Sequence, residues 1–316
     1  MLAQWQRNII DNALGKIEDT LIYPVIKINE IDPSPIFIVG VPRSGTTIFT
    51  QWFVNYIDTD FSYFSRVGDL FPSASLLTNW VGYKLFGKDV NINKPSKYGQ
   101  IKGYMALSEG NRVWHRYLNS ESDHVDLKVS NEKMCKFLTK SVKKHCYFFN
   151  SQLFINKSPH NSLRINFLKS IFPKSKFVVV LRDGRDVTKS LIEARKHFNQ
   201  RTDKWWSVKP NNWKVLESYS PHISCSKQWE AITCEMLKQI NELDADSQII
   251  IKYEDFIKKP FGVIKKCYKK FDIPYKTYDE QLNNIIKSSS YMQFFKSIEI
   301  DEINNAISGT LKQFGY

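Results

Sequence analysis

One stretch near the N-terminus limits the folds open to this chain more than any other. Residues 36–39 are an uninterrupted apolar run of β-branched and aromatic side chains, which indicates a buried parallel strand. Gly40 and Gly45 then bracket a tight turn, and apolar residues recur at helical spacing over 48–57. A strand, a glycine turn and a helix in this order direct backbone N–H groups and the positive end of a helix dipole toward one point. Such a point binds phosphate-like anions.

The turn differs from a nucleotide-binding P-loop in one informative way. Gly40 and Gly45 have the P-loop spacing, but Thr46 occupies the position of the P-loop lysine. The cation lies inside the turn instead, at Arg43. A kinase needs the lysine on the nucleotide phosphates together with magnesium. The sequence therefore favours a metal-free anion site, with a P-loop-type nucleotide kinase as the alternative enzyme.

Composition excludes some classes of protein and leaves others open. The 316 residues are 42% hydrophobic, enough to bury one α/β core, and we assign 1–316 to a single domain. The net charge of +13 indicates anionic partners, so a non-catalytic nucleotide- or polyanion-binding protein is a second alternative. The sequence has no long Lys/Arg block typical of nucleic-acid binding and no apolar run of membrane-spanning length, and residues 1–30 lack the apolar core of a signal peptide. The five cysteines form no C-x-x-C pair, which predicts reduced thiols and a cytoplasmic location.

The rest of the pattern predicts an α/β fold with a P-loop-like, mostly parallel central sheet flanked by helices. Further buried strands are expected at 153–155, 177–181 and 248–252, with helices between them. Residues 61–150 are interpreted as an insertion of helices and loops on the acceptor side of the site. Residues 199–221 contain three tryptophans and no periodicity, and we interpret them as a loop that is a candidate lid.

A second segment has the same order of buried strand, glycine turn and helix as the first. The run 177–181 ends at Arg182, Gly184 turns the chain, and Ser190 lies two turns into the predicted helix. A guanidinium and a hydroxyl that converge from a strand end and a helix can clamp a phosphate. The same pattern also fits a plain strand–turn–helix with solvent-exposed charges.

Together the two segments resemble those of sulfotransferases that use 3′-phosphoadenosine 5′-phosphosulfate (PAPS), of a bacterial type nearest the tyrosylprotein and carbohydrate branch. The resemblance implies a 5′-phosphosulfate site at Arg43, Ser44, Gly45, Thr46 and Thr47. It implies a 3′-phosphate site at Arg182 and Ser190, with Tyr253 close by. Lys157, in Asn156-Lys-Ser-Pro159, matches the family's catalytic lysine and is expected opposite Arg43.

The reaction implied by this resemblance is in-line transfer of a sulfuryl group from PAPS to an acceptor hydroxyl of a glycan, lipid or small molecule. It needs cations on the transferred group and a base for the acceptor proton, but no metal. Glu109 is the first candidate for the base, His160 the second and Asp69 the third. Each of the first two candidates also has a non-catalytic interpretation. Glu109 fits an acidic residue at the start of a helix, where the helix dipole favours it, and His160 fits an ordinary surface residue.

Overall fold

The predicted central sheet is present and has one strand more than the sequence pattern indicated. Its strands are β1 (Ser34–Val39), β2 (Ser62–Tyr63), β3 (Leu153–Lys157), β4 (Lys176–Leu181) and β5 (Gln248–Lys252). The computed structural model describes residues 4–87, 101, 103–118, 121–126, 131–277 and 290–316. In this part of the chain every strand pair is parallel, in the order β2-β3-β1-β4-β5, which confirms the predicted fold class. Strand β2 was missed because two residues give no periodic signal.

Strand β1 lies at the centre of the sheet and fixes where the site forms. Its residues 36–39 are almost fully buried, as the apolar run predicted. The register pairs Ile38 with Lys157 of β3, and Val39 with Val179 of β4. Because the three strands are parallel, the segments that follow their carboxyl ends all leave the sheet at the same edge.

Helices cover both faces of the sheet. Those of the described residues are α1 (Gln4–Ile17), α2 (Thr46–Asn55), α3 (Arg66–Leu70), α4 (Ser75–Phe86), α5 (Asn111–His115), α6 (Glu132–Phe148), α7 (Ile165–Ile171), α8 (Gly184–Asn199), α9 (Trp213–Glu217), α10 (Pro221–Asn241), α11 (Tyr253–Lys258), α12 (Pro260–Phe271) and α13 (Ser297–Gln313). Alternate β1 residues face opposite cores: Ile36 and Ile38 pack with α2, α11 and α12, and Phe37 packs with α5, α6 and α7. None of these helices is long and apolar enough to cross a membrane.

The predicted insertion at 61–150 is built from β2 and helices α3 to α6. Its last helix, α6, has lysines alternating with apolar residues. One side of it is deeply buried, with Leu138, Val142 and His145 in the interior. The alternation of lysines with apolar residues therefore marks a helix with one face in the core.

The segment 199–221 is packed against the rest of the molecule over part of its length. Trp205 is buried, and its indole N–H donates a hydrogen bond to the carbonyl oxygen of Val208 (3.1 Å). Helix α9 lies within the same segment. Its role as a lid and the assignment of 1–316 to one domain both stay predictions.

Candidate active site

The glycine turn between β1 and α2 has the geometry of an anion-binding loop. Gly45 has a φ of 92°, and helix α2 begins at the next residue. Among the described residues, no side chain caps the first turn of α2, so its N–H groups are available to a ligand. The Ser44 hydroxyl is buried and has no hydrogen-bond partner in the described part of the chain. An anion in the loop would satisfy these groups.

Both glycines of the turn are required by close contacts. A Cβ at Gly40 would lie 2.7 Å from the carbonyl oxygen of Val180 in β4. A Cβ at Gly45 would lie 2.4 Å from the ring of Tyr253, at a positive φ that L side chains rarely adopt. The tight loop therefore depends on glycine at both positions, and Tyr253 forms part of its wall.

The two predicted anion sites are joined into one continuous site. The Nε atom of Arg43 donates to the Ser190 hydroxyl (2.9 Å), and Nη1 of Arg182 donates to the Arg43 carbonyl oxygen (3.1 Å). The Arg182 guanidinium also stacks over the Tyr253 ring, 4.6 Å from its centre. Arg182 is only 8% exposed. The sequence predicted the residues of each clamp but not the contact between them.

Lys157 and Glu109 form an ion pair beside this loop. Lys157 is the last residue of β3 and is 8% exposed, and its ammonium group is hydrogen-bonded to the Glu109 carboxylate. The Glu109 carbonyl oxygen accepts hydrogen bonds from the side chains of Asn156 and Trp114, each at 3.1 Å. The backbone at Glu109 is thus held in place while its carboxylate points at the cation.

His160 belongs to a buried network of charges. Its Nδ1 atom lies 2.9 Å from Oδ1 of Asp123, and Nη2 of Arg164 lies 2.5 Å from the same oxygen. The backbone N–H of Lys209 donates to the other oxygen (2.9 Å). Burial opposes ionisation of Asp123, but the His160 hydrogen bond and the nearby cations lower the pKa of its carboxyl. Asp123 therefore orients the His160 ring, a role that the sequence pattern did not reveal.

The same network contains three groups at metal-ligand spacing. The donor atoms of His115, Asp123 and His160 lie within 4.8 Å of one another. Burial and the neighbouring His160 and Arg164 lower the pKa of His115 to about 4, so its ring is neutral near pH 7. Asp123, however, already binds the buried guanidinium of Arg164, which would repel a metal cation. The donor set suits a proton and hydrogen-bond network better than a metal ion.

Asp69 lies outside the main cleft. Its carboxylate accepts a hydrogen bond from the Arg112 backbone N–H (2.9 Å) at the start of α5, and one from the Ser108 hydroxyl (2.8 Å). Burial raises the pKa of this carboxyl. These contacts show that Asp69 supports the loop that contains Glu109. This structural role makes Asp69 the weakest of the three candidate bases.

The residues predicted for the site, except Ser44 and Asp69, line one cleft of about 620 Å³. The predicted residues on its wall are Arg43, Gly45, Thr46, Thr47, Glu109, Lys157, His160, Arg182, Ser190 and Tyr253. The cleft wall also includes Ile48, Ile101 and Leu107, and a stacked pair of rings, Phe198 and Trp206, with centres 5.1 Å apart. The sequence analysis did not predict that these apolar residues line the site. It named only the segment that contains Trp206, as a candidate lid.

A family model described as "Sulfotransferase family" matches residues 35–277, which is most of the chain. The chain belongs to the sulfotransferase family. This sulfotransferase transfers a sulfuryl group from PAPS to an acceptor hydroxyl, as the resemblance implied. The family assignment sets aside both the kinase and the non-catalytic alternatives.

Named relatives and solved structures agree with this assignment. The omega-hydroxy-beta-dihydromenaquinone-9 sulfotransferase Stf3 of Mycobacterium tuberculosis is 23% identical over 293 residues, 83% of this chain and 69% of that protein. The protein-tyrosine sulfotransferase of Drosophila melanogaster is 23% identical over 240 residues, 76% of this chain and 38% of that protein. The crystal structure of sulfotransferase STF9 from Mycobacterium avium has a TM-score of 0.61 at 14% identity, covering 96% of this chain and 83% of that one. STF1 from M. tuberculosis gives 0.60 at 12% identity, covering 94% and 81%. These similarities show a common fold.

Substitution of Gly45 tests whether the close contact with Tyr253 holds the loop. We expect Gly45→Ala to lower the free energy of unfolding by about 2–4 kcal/mol, since strain at positive φ adds to overpacking. Gly87→Ala is the matched control, because Gly87 has a φ of 68° but no atom of the described residues lies within 4 Å of its Cβ position. Its cost should be smaller, about 1–2 kcal/mol, because only the backbone strain remains. Equal losses at the two positions in urea unfolding would contradict a steric role for Tyr253.

Proposed function

We propose that the nucleotide of PAPS lies along the joined anion site. The loop residues of the proposed 5′-phosphosulfate site are Arg43, Ser44, Gly45, Thr46 and Thr47. Arg182 and Ser190 bind the 3′-phosphate in this proposal, with Tyr253 packed between the two ends. The proposal is supported by the Ser44 hydroxyl and the start of α2, neither of which has a side-chain partner among the described residues, so that both can bind an anion. Arg43 spans the two ends through its contact with Ser190.

The catalytic part of the proposal depends on the ion pair between Lys157 and Glu109. A cation and a carboxylate side by side supply the two functions that the transfer needs. Lys157 stabilises negative charge on the transferred group and on the leaving phosphate, together with Arg43. Once Lys157 turns toward that charge, the Glu109 carboxylate is released to accept the proton of the acceptor hydroxyl. Two cations supply the charge stabilisation, so the proposed mechanism is metal-free.

His160 is the alternative base, because one observation favours it. Its Nδ1 atom faces Asp123, an arrangement that holds the ring in one orientation and leaves Nε2 for proton transfer. His160 also lines the cleft. We place Glu109 first because its carboxylate directly contacts the catalytic cation, whereas His160 contacts a buried carboxylate.

We further propose that the acceptor is a lipid with a terminal hydroxyl. Ile48, Ile101 and Leu107 line the same cleft as Glu109 and can contact a hydrocarbon chain. The relative in Mycobacterium tuberculosis is named for a menaquinone substrate, which is also a lipid. A glycan or small-molecule acceptor is the alternative. All five cysteines are free thiols, which supports a cytoplasmic location.

Nucleotide selectivity tests the 3′-phosphate site. The wild type should bind 3′-phosphoadenosine 5′-phosphate far more tightly than adenosine 5′-phosphate in calorimetric titrations. Arg182→Ala or Ser190→Ala should reduce that preference by about 10- to 150-fold, since hydrogen bonds to a charged group contribute about 1.5–3 kcal/mol. Affinity for adenosine 5′-phosphate should change little. Equal affinity of the wild type for both nucleotides would remove the 3′-phosphate assignment.

The base is tested by a pair of nearly isosteric substitutions. Glu109→Gln should leave nucleotide affinity almost unchanged and slow sulfuryl transfer by about 100- to 10,000-fold, because the basic oxygen is lost. His160→Asn is the matched control and should have a much smaller effect. The rates are measured with EDTA present, since the proposed mechanism uses no metal. A large loss at His160 with a near-normal Glu109 variant would move the base to the histidine.

The acceptor class is tested with labelled PAPS and two kinds of alcohol. Transfer of label to a detergent-dispersed polyprenol should exceed transfer to a neutral oligosaccharide by at least about tenfold, since each buried CH₂ of the chain contributes about 0.8 kcal/mol. Leu107→Ser should lower transfer to the polyprenol while the affinity for 3′-phosphoadenosine 5′-phosphate is kept. Preferential labelling of the oligosaccharide would favour the glycan alternative.

A further inference from the structure

Helix α1 presents polar side chains to the protein interior. Asp11 accepts hydrogen bonds from the Ser73 backbone N–H (2.9 Å) and from Arg116 (2.7 Å). In the helical turn that follows α1, Glu18 is fully buried and lies 2.5 Å from the ammonium group of Lys144. Removing either partner of a buried ion pair is costly. These contacts fix which side of the helix faces inward.

The opposite side of α1 and its extension exposes a stripe of apolar side chains. Its members recur at four-residue intervals: Trp5, Ile9, Ala13, Ile17 and Leu21. Trp5 is 63% exposed and Leu21 is 68% exposed. A helix on a globular protein ordinarily buries such a stripe in the core. Here the contacts of Asp11 and Glu18 prevent the helix from rotating about its axis to bury the stripe.

Helix α4 has further exposed apolar residues. The Leu77 backbone N–H at its start donates to Glu18 (2.8 Å), which joins α4 to the helical turn that follows α1. The inner side of α4 packs through Gly82 against Val67 and Met105 of the insertion. Its outer side exposes Trp80, Val81, Tyr83, Leu85 and Phe86. We define the apolar surface as Trp5, Ile9, Ile17, Leu21, Trp80 and Leu85.

We propose that this apolar surface docks on an anionic membrane. Exposed Lys16 and Lys84 lie on the same two helices, and aromatic residues flanked by lysine are typical of helices at a lipid–water interface. The chain's net charge of +13 attracts an anionic surface and repels a second copy of itself. These charges favour a membrane over a homodimer as the occupant.

A short chain of residues connects helix α4 with the cleft. Val67 packs against Gly82 on the inner side of α4, and its neighbour Arg66 lines the cleft. Docking would bring the protein to the surface of the phase that contains a lipid acceptor. The role of docking in access to the acceptor rests on the proposed lipid acceptor. Docking itself depends only on the apolar surface and the positive charge.

Vesicle binding of the full chain tests the proposal. The wild type should co-float with vesicles of phosphatidylcholine and phosphatidylglycerol, and more weakly with phosphatidylcholine alone. The double variant Ile9→Gln/Ile17→Gln should bind at least about tenfold less, since binding scales with buried apolar area. The matched control is Val215→Gln/Ile298→Gln, at two residues outside the apolar surface. Val215 is 60% exposed and Ile298 is 63% exposed, compared with 60% for Ile9. The control should bind within about twofold of wild type.

Three results would overturn the proposal. They are no wild-type binding to the anionic vesicles, equal losses in the two double variants, and a wild-type dimer in light scattering that Ile9→Gln/Ile17→Gln dissociates. The last result would identify the surface as an interface between copies. Transfer to dispersed polyprenol needs no vesicle, so its failure beside intact vesicle binding would remove only the acceptor proposal.

Discussion

The parallel pairing of β1 with β3 and β4 is the interaction on which the site depends. It places the segments after Val39, Lys157 and Leu181 at one edge of the sheet. The cations at that edge come from three segments far apart in sequence, and Lys157 and Arg182 are largely buried. A one-residue shift of register would turn Lys157 to the other face of the sheet. The hydrophobic pattern of the strands therefore determines the electrostatics of the site.

Buried cations at one edge need compensation when no anion is bound. Lys157 has the Glu109 carboxylate, and Arg182 has the Tyr253 ring, the Arg43 carbonyl oxygen and, at 3.8 Å, the Asp186 carboxylate. The two carboxylates differ in position. Glu109 lines the cleft, where it can accept a proton once its cation turns away, whereas Asp186 is not among the described residues that line the cleft. The difference explains why we assign chemistry to one end of the cleft and binding to the other.

The sequence predicted those parts of the molecule whose signal is local. The four long strands, the glycine turn and the cleft residues Lys157 and Arg182 follow from short patterns. The contact between Arg43 and Ser190 spans 147 positions, and no periodicity encodes it. The Asp123 network was missed for the same reason, since its members come from segments far apart in sequence. Helix α1 has apolar residues at helical spacing, but which face it buries is decided by Asp11 and Glu18 through tertiary contacts.

Two layers of the molecule contribute to the reaction in different ways. The sheet and the helices after its strands position the residues assigned to PAPS, and the insertion at 61–150 positions Glu109 through Asp69 and Trp114. The layers meet at the ion pair between Lys157 and Glu109 and at the contacts of Asp123 with His160 and Arg164. A change in the insertion can therefore alter the acceptor without disturbing the nucleotide, provided that these pairs are kept. The same separation allows the insertion to have an apolar outer surface on α4 that the sheet does not need for its stability.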